Sequence, residues 1–202
     1  MFRRFAPLAL FLFAAPALAQ GEAPAPPPAM VHVVIQTSEG AIALELEKDR
    51  APLTTANFLR YVDQKRLDGT VFYRAMKVDE GFGLIQGGTQ NDPKRILKPV
   101  AHEPTTQTGL KHVTGTISMA RYDPGSATGD FFITVGDIAS LDANPGEPGD
   151  NLGFAAFGHV TAGMEIVTRV LDSPISTTKG EGSMKGQLLE APVKILSVRR
   201  AD

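Results

Sequence analysis

The sequence predicts a mainly β fold, an antiparallel sheet closed into a barrel with two helices covering its ends. Three observations support this prediction. About eight short segments are apolar or alternate apolar and polar residues, which is the pattern of strands. The 20 glycines and 15 prolines indicate many turns, more than a helix bundle would contain. Strands and helices do not alternate regularly as in βαβ folds, so a parallel sheet is not expected.

The first 19 residues have the features of a secretory signal peptide. Arg3 and Arg4 supply the positive charge, residues 5–15 are apolar, and Ala17-Leu18-Ala19 is a small-x-small cleavage site. The alternative is an uncleaved membrane anchor, but the apolar run is shorter than the ~20 residues that span a bilayer. We therefore expect a periplasmic protein, with secretion from the cell as the alternative, and no stable membrane insertion after cleavage.

Residues 20–30 form the next segment, which is rich in proline and alanine. Prolines forbid a helix and favour extended chain, so this segment is predicted to be a semi-rigid linker. One domain is predicted over residues 31–202, a length that suits a single core. Nothing in the sequence requires more than a monomer.

The first half of the domain is predicted to contain a hairpin, a helix and two strands. Ser38-Glu39-Gly40 separates two strand-like segments and therefore marks the turn of the hairpin. In the predicted helix, Pro52 suits the first turn, and Phe58 and Val62 share one face. The hairpin strands are expected at residues 31–37 and 41–47, the helix at residues 51–64, and the two further strands at residues 70–75 and 84–88.

The second half of the domain is predicted to alternate strands with long loops. Residues 90–112 are polar and irregular, and residues 142–152 are rich in glycine and proline, so both are predicted to be loops. A short helix suits residues 163–170. Strands are predicted at residues 116–120, 131–135, 154–160 and 193–198.

Composition and motifs limit the chemistry that the chain can perform. The net charge of −2, without a basic run, gives no basis for binding nucleic acid. The absence of cysteine excludes disulfides and thiol nucleophiles. No metal-ligand spacing, nucleotide-binding loop or hydrolase motif occurs, so we expect no metal and no cofactor. The four histidines are read as surface or core residues: His32, His102, His112 and His159.

Six segments, taken together and in this order, resemble the cyclophilin family. They are VFYR, LIQGG, GTISMA, FFITV, SLD and FGHV, which lie between Val71 and Val160, and the resemblance as a whole covers roughly residues 31–200. SATGDFF, AAFGHV and PVKILS are similar to segments of the bacterial periplasmic branch. The resemblance implies an eight-stranded antiparallel barrel with two capping helices. It also implies peptidyl-prolyl cis-trans isomerase activity toward proline-containing polypeptides, at a site on the outer face of the barrel.

The expected reaction is rotation about the peptide bond before proline, which has a barrier of about 18–20 kcal/mol. No bond is made or broken, so the enzyme must only favour the twisted state. The resemblance implies that Arg74 is the catalytic residue, donating to the proline carbonyl and to the developing nitrogen lone pair. It implies that Gln86 orients this arginine and binds the substrate backbone.

The resemblance also implies the residues that bind substrate. Ala120 is expected to accept backbone hydrogen bonds from an extended peptide. The walls of an apolar proline slot are expected to be Phe82, Leu84, Phe132, Leu141 and Phe154.

Four features depart from the family pattern. The stretch between Arg74 and Gln86 is long, which predicts an altered loop over residues 75–85. Arg121 and Asp130 are also expected to bind substrate, at positions where asparagine and glutamine are usual. Ser140 and Phe154 replace tryptophan and histidine, and loss of the tryptophan implies weak cyclosporin binding. Asp130 is expected to lie near Arg74, where a carboxylate could either pre-organise the guanidinium or draw it away from substrate.

Two other functions remain open from the sequence. The same groove could hold proline-containing segments as a chaperone or scaffold, with catalysis weakened by Asp130 and the altered loop. Alternatively, the barrel could carry a small ligand inside. Bulky strand residues argue for a filled interior and therefore against the ligand carrier.

Overall fold

A computed structural model of the chain describes residues 29–201. The predicted signal peptide lies outside the described residues, as does the predicted linker except for its last two residues. Met30 is already the first residue of a strand. No helix within the described part of the chain is long and apolar enough to cross a membrane.

Eight strands close into an antiparallel barrel. They are β1 (Met30–Thr37), β2 (Gly40–Glu47), β3 (Val71–Asp79), β4 (Phe82–Gly88), β5 (Thr116–Met119), β6 (Phe131–Val135), β7 (Ala155–Ala162) and β8 (Leu188–Arg200). Their order around the barrel is β1-β2-β7-β5-β6-β4-β3-β8. The predicted fold class is therefore confirmed.

Two main helices pack against the barrel core. They are α1 (Pro52–Asp63) and α3 (Met164–Asp172), and a single turn, α2 (Thr105–Thr108), lies in the first long loop. α1 begins with proline, whose missing N–H has no helical partner in a first turn in any case. The side chains on the predicted apolar face of α1, including Phe58 and Val62, are buried as expected.

The interior of the barrel is filled by side chains. Aromatic rings form its centre, where Phe131 meets Phe58 at 5.4 Å and Phe72 at 5.7 Å, both edge to face. Phe157 packs against Phe58 from β7 at 5.2 Å. Because these rings are fully buried and in contact, the interior has no room for a carried ligand. The interpretation as a ligand-carrying barrel is therefore wrong.

The stretch over residues 75–85 forms regular structure instead of the predicted altered loop. β3 and β4 continue to Asp79 and Phe82, so this stretch is an extended hairpin. Gly83 permits the close pairing, since a Cβ atom there would lie 2.1 Å from the carbonyl oxygen of Met76. The prediction of an altered loop over residues 75–85 is therefore corrected, because the additional residues lengthen two paired strands.

Candidate active site

A cleft on the outer face of the barrel gathers most of the predicted site residues. Its volume is about 260 Å³, close to the lower end of the roughly 300–1,000 Å³ usual for ligand pockets. It therefore suits a group the size of a side chain on a longer polypeptide. Nine predicted residues line it: Arg74, Leu84, Gln86, Ala120, Arg121, Asp130, Phe132, Leu141 and Phe154.

Phe82 is the one predicted site residue that does not line this cleft. Its ring lies over Gly136, where a Cβ atom would stand 2.0 Å from the Phe82 Cδ2 atom. Phe82 is two residues nearer the hairpin turn than Leu84, a displacement of about 6–7 Å along a strand. Met76, the partner of Leu84 across the hairpin, lines the cleft instead.

Arg74 lies where the pairing of β3 with β8 is interrupted. Phe72 pairs with Val193, whereas Arg74 pairs with Leu188, so four residues of β8 bulge out opposite Tyr73. This irregularity turns the Arg74 side chain toward the cleft. The bulge lies within the pairing of two long strands. The sheet therefore fixes the position of Arg74, which does not lie in a flexible loop.

Neutral groups hold the Arg74 guanidinium. Its Nη1 donates to Gln86 Oε1 at 2.6 Å, and its Nε and Nη2 donate to Gln187 Oε1 at 2.9 and 2.7 Å. The sulfur of Met76 lies 3.6 Å from Nη2. Within residues 29–201, no carboxylate oxygen lies within 4 Å of this guanidinium. Burial lowers the pKa of Arg74 from its usual value.

Gln86 connects the arginine to a tyrosine. It lies directly opposite Arg74 in the pairing of β3 with β4, which explains their contact. Its amide nitrogen Nε2 donates to the hydroxyl oxygen of Tyr73 at 2.6 Å. Burial is the main cause that raises the pKa of Tyr73, so the hydroxyl stays protonated. Both ends of the Gln86 amide are therefore fixed, and the carbonyl end faces Arg74.

Asp130 does not pair with Arg74, contrary to the sequence expectation. Its Oδ1 accepts the backbone N–H of Gln90 at 2.8 Å. Gln90 and Asn91 both have positive φ, so the backbone beside this carboxyl is in the left-handed region. Burial raises the pKa of Asp130, and the backbone N–H groups partly offset this effect.

The side chain of Arg121 supports the cleft wall. Nε and Nη2 donate to the carbonyl of Gly153, Nη1 to the carbonyl of Tyr122, and both Nη atoms to Asp150. The guanidinium also lies over the Phe154 ring, 5.0 Å from its centre. Because all five donors of an arginine are then used, this side chain has none left for substrate. Sequence reasoning placed Arg121 at the cleft but missed this role.

Phe132 forms the floor of the apolar slot and is packed from two sides. Phe154 meets it edge to face at 5.4 Å, and the imidazole of His112 stacks on it at 5.8 Å. His112 Nδ1 lies 2.8 Å from Asp142 Oδ1, and Nε2 lies 3.0 Å from Ser118 Oγ. Ser118 is fully buried, so this Ser–His–Asp group supports the slot and offers no accessible nucleophile.

Ala120 and a second depression lie at the edges of the cleft. Ala120 follows β5, and its N–H donates to the carbonyl of Asp130 at 2.9 Å. Its proposed role as a peptide acceptor stays a prediction. Beyond Tyr73 and Asp130 the cleft continues into a second depression, which Leu188, Leu189 and Pro192 help to line. The groove is therefore longer than a single proline ring.

Three comparisons relate this fold and site to known proteins. Residues 32–200 match the family described as cyclophilin type peptidyl-prolyl cis-trans isomerase/CLD. A peptidyl-prolyl cis-trans isomerase of Acinetobacter baylyi is 36% identical over 171 residues, covering 83% of this chain and 84% of that one. Peptidyl-prolyl cis-trans isomerase cyp18 of Streptomyces antibioticus is 36% identical over 173 residues, covering 84% and 98%.

A solved structure agrees with the fold. It is a cyclophilin type peptidyl-prolyl cis-trans isomerase of Cryptosporidium parvum, which superposes with a TM-score of 0.65. The alignment covers 86% of this chain and 99% of that one at 22% identity. At this identity the likeness supports the architecture alone.

Proposed function

The chain belongs to the cyclophilin-type peptidyl-prolyl cis-trans isomerase family and is an enzyme of that class, and we propose that it acts on proline-containing segments of exported proteins while they fold. In this proposal the protein is a monomer of the bacterial periplasmic branch. It works in the periplasm after its signal peptide is removed and is not inserted in the membrane.

The observation that carries the catalytic part of this proposal is a guanidinium that is charged, half-buried and paired only with neutral acceptors beside an apolar slot. In the twisted state of an X-Pro bond, resonance is lost and the prolyl nitrogen gains a lone pair. A donor aimed at that lone pair stabilises the twisted state more than the planar one, which is what accelerates rotation. An acceleration of about 10⁵-fold requires about 7 kcal/mol of such differential stabilisation.

Arg74 has donors left for this task. A guanidinium has five N–H groups, and Gln86 and Gln187 together engage three of them. A fourth points to the Met76 sulfur at 3.6 Å, a weak and replaceable contact. One hydrogen on Nη1 and this weakly held hydrogen on Nη2 are therefore free for the proline nitrogen and carbonyl.

The apolar slot supports a proline ring as the bound group. Phe132, Leu141 and Leu84 line it, and Phe154 closes one side. The ring would lose water on entering the slot, which favours binding. The polar groups of Arg74 and Gln86 lie in the same cleft, so a ring in the slot brings its own peptide bond to them.

The alternative of a purely binding module rested on two features of the sequence. One was an acid that could neutralise Arg74, and Asp130 accepts the backbone N–H of Gln90 instead. The other was an altered loop, and residues 75–85 form a paired hairpin. Neither feature now gives a reason to expect lost catalysis.

The export proposal rests on the first 19 residues and is tested separately. The protein is expressed in a bacterial host, the periplasmic fraction is collected, and its N-terminus is sequenced. We expect a chain that begins at Gln20 in the periplasmic fraction. A cytoplasmic chain that retains Met1 would contradict export.

The role in folding is tested on a client whose refolding is limited by proline isomerisation. Such a phase lasts tens of seconds at 25 °C. We expect catalytic amounts of the protein to shorten that phase, and Arg74→Ala to lose the effect. A client phase unchanged by an enzyme that is active on short peptides would contradict a folding role while leaving the isomerase activity intact.

A further inference from the structure

We propose that Gln187 is a positioning residue that holds Arg74 in its working geometry while leaving its positive charge unneutralised. The proposal rests on the function proposed for Arg74. Gln187 lies far from Arg74 in the sequence. Both the position and the neutrality of its amide oxygen matter for holding the guanidinium.

In this contact, two nitrogen atoms of the Arg74 guanidinium share one acceptor atom. Nε and Nη2 of Arg74 both donate to Gln187 Oε1, at 2.9 and 2.7 Å. Two hydrogen bonds that converge on one acceptor from one side of the planar guanidinium fix its rotation about the long side chain. The opposite corner, Nη1, is held by Gln86. Together the two amides define the plane in which the free N–H groups point.

The backbone of Gln187 reinforces this placement. Its carbonyl accepts the N–H of Ala75 at 2.9 Å, one residue beyond Arg74. Gln187 immediately precedes Leu188, the first residue of β8, which pairs with Arg74 ahead of the bulge. The same residue therefore fixes the strand that carries the arginine and the guanidinium at the end of its side chain.

The neutrality of the clamp has an electrostatic consequence. A carboxylate in this position would make a bidentate ion pair, the strongest common partner of arginine. Such a pair would cancel most of the positive field that the prolyl nitrogen would experience. An amide oxygen supplies the same geometry through a dipole, so the full positive charge stays available to the twisted state.

Two variants separate charge from geometry. Gln187→Glu keeps the length of the side chain and an oxygen acceptor but adds a negative charge. Gln187→Met keeps the length and removes both the acceptor and any charge. Gln36→Glu is the matched control for added charge, because Gln36 is exposed on β1 and lies outside the cleft.

The experiment uses the purified protein and an X-Pro peptide, with kcat and KM obtained separately from NMR exchange spectra. Hydrogen exchange of the Arg74 Nε–H, followed in ¹⁵N-arginine-labelled protein, reports whether the clamp is present. Thermal unfolding checks that each variant is folded.

We expect Gln187→Glu to keep slow exchange at Arg74 Nε–H and normal thermal stability while kcat falls by on the order of tenfold or more. We expect KM to change by less than about twofold, since the clamp acts on the twisted state. Gln187→Met should lose the slow exchange and lower kcat by about three- to tenfold through misplacement of the guanidinium. Gln36→Glu should match the wild type.

A purely structural role would give a different result for the glutamate. Gln187→Glu would then be as active as the wild type, since it preserves both hydrogen bonds, and this outcome would overturn the proposal. Full kcat in Gln187→Met would overturn the positioning role. If the wild-type protein itself were inactive, the proposed function would fail, whereas full activity in both Gln187 variants alongside an inactive Arg74→Ala would defeat only the role of Gln187.

Discussion

Arg74 and Gln86 face each other across adjacent antiparallel strands, and the arginine donates to the glutamine carbonyl at 2.6 Å. The other end of the same amide donates to Tyr73. The hydrogen bond to Tyr73 therefore fixes the orientation of the Gln86 amide, and the amide oxygen faces Arg74. This short chain of three side chains lies along one wall of the cleft.

Replacing Gln86 with methionine should lower kcat by on the order of tenfold, because the guanidinium loses its Nη1 acceptor and becomes mobile. The matched control is Tyr73→Phe, which removes only the hydroxyl that orients the amide and should cost less than about threefold. Both are measured as kcat on an X-Pro peptide. Equal losses in the two variants would show that the tyrosine contributes more than orientation of Gln86.

Arg121 gives a prediction about binding that is distinct from catalysis. Arg121→Lys keeps a positive charge but cannot make five hydrogen bonds, so the wall formed by Gly153 and Phe154 loosens. KM for the peptide should rise by about three- to tenfold with little change in kcat. Asp150→Asn, which removes only an exposed partner, should have a smaller effect. A fall in kcat with unchanged KM would contradict the assignment of Arg121 to the wall.

Asp130 should matter for stability through the backbone that it anchors. Asp130→Ala leaves the backbone N–H of Gln90 without its acceptor, which costs about 1–3 kcal/mol. Urea unfolding measures this loss. Hydrogen exchange at Arg74 Nε–H should stay as in the wild type, because the two side chains are not paired. Faster exchange there would show a coupling that the geometry does not contain.

Because His112 is buried, the free energy of unfolding should depend on pH. Burial lowers its pKa below the 6.5 of an unperturbed histidine, although Asp142 acts in the opposite direction. As pH falls below about 6.5, the unfolded chain takes up a proton that folded His112 does not. The stability that neutral His112 contributes is therefore fully present above the pKa of histidine in the unfolded chain. It is lost as pH falls through the pKa of His112 in the folded protein.

This pH effect is measured as the free energy of unfolding in urea at about pH 7.5 and about pH 5.5, on either side of the unfolded histidine pKa. Wild-type stability should fall over this interval by more than that of His112→Gln, which has no proton to gain at this position. The variant should also be less stable at the higher pH, because Phe132 and Ser118 lose their partner. Identical pH dependence in both proteins would contradict a buried neutral imidazole.

The barrel and the core of the site could be predicted from the sequence because both depend on local patterns. Alternating apolar residues indicated the strands, and short motifs contained Arg74 and Gln86 together with their slot. The error at Phe82 has a simple cause. A hairpin longer than expected moves a residue along the strand, and sequence motifs do not show how far the pairing extends.

Contacts made by chain segments that are distant in sequence could not be predicted. Gln187 is separated from Arg74 by 113 positions and lies beside it because the next residue, Leu188, pairs with Arg74. The partner of Asp130 depends on positive φ angles at Gln90 and Asn91, which the residue types alone do not require. Charge suggested an ion pair with Arg74, but the carboxylate accepts the backbone N–H of Gln90 instead.

Catalysis by Arg74 is tested by the cis-trans exchange rate of a short X-Pro peptide, measured by NMR with wild-type protein and with Arg74→Ala. We expect strong acceleration by catalytic amounts of the wild type and a loss on the order of a hundredfold in the variant, with its fold intact by thermal unfolding. Equal acceleration by a folded Arg74→Ala protein, or none by the folded wild type, would contradict it.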